Sequence, residues 1–261
     1  MKTYFNLYYY SFMSILTYPM ELFFTFLDPV LWIGFLALFW NVVSQNSVNP
    51  ISLTNILAYF ILVKVISLWA FHPDELNFSR YLGRVIKDGE LSKILVKPLK
   101  ILPAMVFEYS GYWAVDLAFS FVLFAIAIKM LGGIALIQLV WFLAFLVLSF
   151  IITYSISILV ASIAFVTKEI NGICHSVSHM IRILAGAWVP LMFFPERTRE
   201  LLSLTPFPTM IFAPINILQK SSALDTVYRD FAVGIFWSVI LYIAAILVWK
   251  NNMKKYEATG L

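Results

Sequence analysis

Residues 74–100 read DELNFSRYLGRVIKDGELSKILVKPLK, the largest block of charge in the chain, and the contrast with the apolar sequence on either side decides the fold. Six of the eighteen Lys and Arg residues fall here (Arg80, Arg84, Lys87, Lys93, Lys97 and Lys100), with the acids Asp74, Glu75, Asp88 and Glu90 among them. Over the whole chain 62% of residues are hydrophobic and 12% are charged, against roughly 25% charged in an ordinary soluble domain. The island is therefore one wet segment between membrane helices. Runs of ~20 apolar residues, each long enough for ~30 Å of hydrocarbon, give the 261 residues room for about six spans and no separate soluble domain. The expected fold is an all-α membrane protein, a single transmembrane domain over residues 1–261.

Working upstream from the island, the second span is expected over residues 51–71, after a polar, uncharged loop at 44–50. The first covers 21–43 and contains Asp28-Pro29, where the missing amide of Pro29 favours a kink or a fresh helix start. The N-terminal MKTYFNLYYYSFMSILTYP has one Lys2, an apolar run broken by Asn6, Ser11 and Ser14, and no small-residue cleavage site, so it is expected to be retained. Thr3, Asn6, Tyr10, Ser14 and Thr17 recur at helical spacing as a polar stripe, which suits residues 1–20 to a helix lying along the membrane interface. A cytoplasmic extension of the first span is the competing reading.

Downstream, spans are expected over 101–128, 134–166, 170–194 and 231–249, joined by short turns at 129–133 and 168–169 and by a longer segment at 195–230. With the N-terminus inside, the inner segments hold Lys2, the six island cations, Lys168, Lys250, Lys254 and Lys255. These are more than twice as many as the outer Lys129, Arg197, Arg199, Lys220 and Arg229. The positive-inside rule places both termini and the island in the cytoplasm of a multi-pass cell-membrane protein. The net charge of +4 reflects this asymmetry, and no nucleic-acid patch is read from it. The single cysteine, Cys174, excludes an intramolecular disulfide.

Within the island, Leu76, Tyr81, Leu82, Val85 and Ile86 share one face of a helix over 75–88, with Arg80, Arg84, Lys87 and Asp88 opposite. Gly89 stops it, and a second short repeat, Leu91, Ile94 and Leu95, ends before Pro98. By pattern alone the segment serves equally as a solvated loop that fixes topology.

Three stretches carry a resemblance: GELSKILVKPLK at 89–100, the aromatic N-terminal helix running into the first span, and VPLMFFPERTRELLSLTPFPTMIFAPINI at 189–217. Together, in this order, they resemble the permease subunits of ABC-2 type transporters, and within them a group of six-span permeases of about this length. The resemblance implies a half-transporter that dimerises with an identical or related second permease. A separate ATP-binding subunit drives it and docks on the cytoplasmic coupling segment, so the chain itself is not expected to be an enzyme. Arg80, Arg84, Lys87, Asp88, Gly89 and Glu90 then form the coupling contact. Short outer helices before span six, in the segment 195–230, dip toward the bilayer as a gate; a stiff surface loop is the alternative. The chain contains no G-x-x-x-x-G-K-[ST] run, and GRVIKDG at 83–89 lacks the Lys-Ser/Thr ending that holds phosphate and magnesium. ATP and magnesium are expected on the partner subunit, with no cofactor on this chain.

A charge near the bilayer centre costs roughly 2.5–3.5 kcal/mol on insertion scales, so ionisable residues within spans need partners. Counting 1.5 Å per residue from the span ends puts Lys64 and Glu108 at matching depth and predicts an ion pair between them. Asp116 and Arg182 share mid-depth on the same arithmetic. Gly172, His175, His179, Arg182 and Gly186 follow at steps of three and four, one polar or small-residue stripe on the fifth span. Three readings compete for the stripe: a packing seam, a lining of a substrate path or dimer interface, and a zinc site on His175 and His179. The last lacks the H-E-x-x-H glutamate, since the sequence reads His-Ser-Val-Ser-His. The favoured function is an ATP-driven permease exporting a small amphipathic or lipid-like molecule. An ATPase-independent secondary transporter or channel competes, as does an intramembrane metalloenzyme built on His175, His179 and Glu169.

Overall fold

The computed structural model describes residues 2–46, 50–73, 75–96, 99–167, 170–219, 224–254 and 256. Asp74, Lys97, Pro98, Lys168, Glu169, Lys220 and Lys255, parts of the 44–50 loop and the end of the C-terminal tail lie outside the described residues. Among the described residues all regular structure is helical. The α-helices are α1 (Lys2–Leu16), α2 (Pro19–Gln45), α3 (Leu53–Trp69), α4 (Asn77–Lys87), α5 (Leu91–Leu95), α6 (Ile101–Tyr112), α7 (Ala114–Met130), α8 (Leu136–Ala161), α9 (Asn171–Leu184), α10 (Glu196–Ser203), α11 (Phe207–Met210), α12 (Phe212–Leu218) and α13 (Leu224–Met253).

Three helical segments among the described residues are long and apolar enough to cross a membrane: Leu22–Gln45, Leu136–Phe165 and Asp225–Met253. A fourth is added if α6 and α7 count as one span, but they meet at 64°. The single third span expected over 101–128 is therefore two helices broken at Trp113. They have different neighbours: α6 lies along α1, whereas α7 lies along α3. The chain stays helical through Pro29.

The helix α3 is apolar but only 17 residues long, about 25 Å at 1.5 Å per residue. It starts at Ser52, whose hydroxyl accepts the Asn55 amide, and nearly all of it from Ile56 onward is buried against α2, α7, α8 and α12. A helix apolar on every side belongs in the middle of a bundle. Trp69 Nε1 donates to Ser120 Oγ at 2.6 Å, fixing α3 to α7.

The expected fifth span also breaks. The helix α9 ends at Leu184, Gly186 takes a left-handed φ of 89°, and the chain continues through a short 3-10 turn at Leu191–Phe193. Glycine meets no Cβ penalty in that conformation, which is why it commonly follows a helix C-terminus. Pro195 then precedes α10, and α11 and α12 pack on α8, where Ser149 Oγ donates to the Met210 carbonyl at 2.7 Å.

Two large apolar clusters result. One is centred on α3. The second lies at the C-terminal end of α3, where Leu82, Val85 and Ile86 of α4 pack with Met105 of α6, Ile158 of α8 and Trp249 of α13. Phe71 is its hub, with ring centroids 4.8 Å from Phe78, 5.0 Å from Tyr109 and 5.3 Å from Phe150.

Candidate functional site

The turn from α3 into α4 is tight and unusual. Phe71, His72 and Leu76 adopt φ of 70°, 55° and 50°, a region that costs about 1–3 kcal/mol for a residue other than glycine. All three side chains are buried, so packing holds the turn. It brings the Glu75 carboxylate back beneath α3. Glu75 Oε1 lies 3.6 Å from Lys64 Nζ on α3 and 4.0 Å from Arg182 Nη2 on α9, with the three side chains only 25%, 12% and 20% exposed. Lys64 Nζ is also 3.9 Å from Asp28 Oδ2 on α2. Asn77 Nδ2 donates to Glu75 Oε2, and Arg80 Nη2 donates to the Glu75 carbonyl. Burial by itself would raise the Glu75 carboxyl. Lys64, His72, Arg182 and the Asn77 amide outweigh it and hold the carboxyl down to about 2.

The predicted Lys64–Glu108 pair does not form. Depth arithmetic carries no information about which helices are neighbours. The break at Trp113 sets α6, which carries Glu108, against α1 instead of α3. Glu75 and Asp28 fill the role instead, and neither was singled out as a partner. Asp28 was within reach of the same arithmetic, nine residues or about 14 Å into α2. Arg182 reaches the same Glu75 carboxylate, with its guanidinium 5.1 Å from the Trp188 ring. Asp116 sits in the first turn of α7.

The six island residues separate into two groups. Arg84, Lys87, Asp88 and Glu90 are exposed together, while Gly89, at φ 74°, ends α4 as its position implies. Arg80 instead turns inward to Glu75, and its Nε is buried without a hydrogen-bond partner. A small hollow of about 90 Å³ runs beside the exposed group, closed on its far side by Ala164, Ile170 and Asn171 from the link between α8 and α9. That link is the part of the surface that pattern reading missed. Gly83 lets α4 approach it, since a Cβ there would overlap the Ile170 side chain. At the other end of the island the Lys100 amide donates to Tyr4 Oη at 3.1 Å, tying α1 to the same region.

The stripe on α9 divides: its first three residues point away from the chain, whereas Arg182 turns in to Glu75. Gly172, His175 and His179 are exposed, whereas Cys174, Ser178 and Ile181 on the opposite face are buried. Gly172 has nothing within 4 Å of where a Cβ would stand, so among the described residues it forms no packing seam. Gly186 lies beyond the helix end, and its carbonyl accepts the Tyr59 hydroxyl at 2.7 Å. The His175 and His179 ring centroids are 6.3 Å apart, and no group of three or more His, Cys, Asp or Glu placed to hold a metal occurs among the described residues. Glu169 lies outside the described residues.

The family model described as ABC-2 family transporter protein matches residues 29–260. No curated protein matches the chain.

Proposed function

Because the chain belongs to the ABC-2 family transporter proteins and is thus a membrane permease component of an ABC transporter, we propose that it exports a small amphipathic or lipid-like molecule, with an ABC ATPase subunit docked on α4. ATP and magnesium belong to that subunit. The proposed crossings are α2, α3, the α6–α7 pair, α8, α9 with residues 185–194, and α13, with both termini in the cytoplasm of the cell membrane. The α1 helix lies at the cytoplasmic interface, α10 to α12 lie outside before the last crossing, and a second permease, identical or related, covers the open face of α9.

One observation carries the docking site: α4 exposes Arg84, Lys87 and Asp88 on one face while Leu82, Val85 and Ile86 on the other are buried among the ends of α6, α8 and α13. Close-packed contacts transmit displacement instead of absorbing it. A push on the polar face therefore moves the inner ends of α8 and α13 directly. Glu75 adds a second route, through Lys64 to α3 and through Arg182 to α9. Lys87 and Arg84 contact the ATPase, Asp88 and Glu90 set its register, Gly89 turns the chain away beneath it, and Arg80 positions the α3–α4 turn.

The test is reconstitution with the ATPase subunit. Reversing Arg84→Glu and Lys87→Glu together is expected to lower permease-dependent ATPase stimulation about tenfold or more while the complex-free permease keeps its thermal stability, because both side chains are exposed. Unchanged stimulation and transport would overturn the assignment.

A further inference from the structure

The end of the bundle opposite α4 contains two adjoining cavities. The larger, about 450 Å³, is enclosed by α10, α12 and the first turns of α13, and carries Arg199, Glu200, Arg229 and Asp230 beside Leu191 and Phe212. The smaller, about 380 Å³, lies over the start of α3 between an apolar wall of Ile56, Tyr59 and Phe193 and a polar, uncharged edge of Ser52, Asn55 and Gln219; among the described residues no charged side chain lines it. Each volume is in the range of small-molecule sites. Met192 lines both. It belongs to the 3-10 turn Leu191–Phe193, which is held in place by Phe193 stacked on Trp40 at 4.7 Å and by Trp40 Nε1 donating to the Trp188 carbonyl at 2.7 Å. The thioether is the movable piece of a fixed partition, since an unbranched Met side chain adapts its shape to what it meets.

The charges define what fits. Arg229 and Asp230 neutralise each other at 3.2 Å, which leaves Arg199 and Glu200, adjacent and both exposed, to meet a ligand. A purely anionic head beside Arg199 would still face the Glu200 carboxylate and a purely cationic head beside Glu200 the Arg199 guanidinium; a head carrying both signs meets a complement to each. In the neutral cavity the Tyr59 hydroxyl is already donated to the Gly186 carbonyl, so that wall offers its ring and not a free donor. We propose that this end of the chain binds one amphiphile with a zwitterionic headgroup, the head against Arg199 and Glu200 and the apolar part passing Met192 onto the Ile56, Tyr59 and Phe193 wall of the neutral cavity. The proposal rests on the permease reading and names the class of molecule handled on its outer side.

The test uses the purified chain alone in nanodiscs of phosphatidylglycerol, so that the bilayer supplies no competing zwitterion, with dansyl-labelled lysophosphatidylcholine as the probe. Saturable binding is expected, about tenfold tighter than for probes of equal chain length with an anionic or a trimethylammonium head. Arg199→Glu should weaken it about tenfold, Arg199→Glu with Glu200→Arg should restore it, and Met192→Trp should weaken it by narrowing the passage. Equal affinity for all three heads, a double reversal that does not restore binding, or no saturable binding would overturn the proposal. No ATPase is present in this assay, so each of those failures leaves the permease reading to its own test at Arg84 and Lys87.

Discussion

At the scale of single residues, the arrangement around Glu75 makes two sharp statements. Lys64 and Glu75 are partly buried and 3.6 Å apart; deleting one member of such a pair leaves a charge in poor surroundings and costs up to about 3 kcal/mol, the lower end of the range for a fully buried pair. Lys64→Met and Glu75→Gln should each destabilise the chain, and the double variant should lose about 1–3 kcal/mol less than the sum. Lys64→Met with Glu108→Gln should instead be additive, because those side chains do not meet. Denaturant unfolding in mixed micelles measures all of these, and additive losses for Lys64 and Glu75 would count against the pairing. The second statement concerns pH. A carboxyl whose folded pKa lies near 2, below its ordinary 4.5, adds stability that is complete above 4.5 and is lost as pH falls through 2. The thermal midpoint of the wild-type chain should decline across that window, whereas Glu75→Gln should start lower and fall less. Parallel declines in the two proteins would contradict the assignment.

At the scale of elements, the close approach of α1 to α6 is made at a glycine. A Cβ at Gly111 would meet the Tyr8 carbonyl oxygen, Ser11 Cβ at 2.6 Å and the Phe12 nitrogen at 3.0 Å, and two of these are α1 backbone atoms that yield only if the whole helix moves. Gly111→Val should lift α1, at a cost of about 1–3 kcal/mol from overpacking, and should make a cysteine at the buried Ser11 position reactive to a thiol reagent. Gly172→Val, with open space around it, should not. If Ser11→Cys is equally shielded in both backgrounds, α1 does not rest on Gly111. Elements governed by local pattern were legible in the sequence: the 3.6-residue period placed Leu82, Val85 and Ile86 inside and Arg84 and Lys87 outside, Gly89 ended α4, and Asn6, Tyr10, Ser14 and Thr17 lie on the exposed side of α1 as their spacing requires. The break at Trp113 was not legible, because no proline marks it and Glu108, Ser110 and Gly111 before it sit inside an otherwise apolar run long enough for one span. The end of α9 was marked by Gly186 and Pro190, but the hydrophobic run continues past them to Phe194 and masked the stop. Partner choice for Lys64 depended on which helices touch, and that follows from the break at Trp113.

At the scale of the whole molecule, one face of α9 is left largely uncovered by the described residues, with only the Trp188 ring near His179 at 5.2 Å. His175 and His179 stand exposed beside Met180 and Ile183 on a helix whose other face is buried. In a bilayer, two imidazoles facing lipid are costly, so this surface must meet either water or protein. The mixture of imidazole with Met and Ile favours protein over a continuous water path, and a second copy of the chain supplies the same face in reverse. Under two-fold symmetry a residue near the axis meets its own counterpart. In a Cys174→Ser background, His175→Cys or His179→Cys should then form a disulfide-linked dimer on mild oxidation in native membranes, which requires Cα atoms about 5–6 Å apart. Ser178→Cys, one residue before His179 but 1% exposed, should remain monomeric. If the two exposed positions instead stay monomeric and react fully with a membrane-impermeant thiol reagent, the face lines water and the copies meet elsewhere.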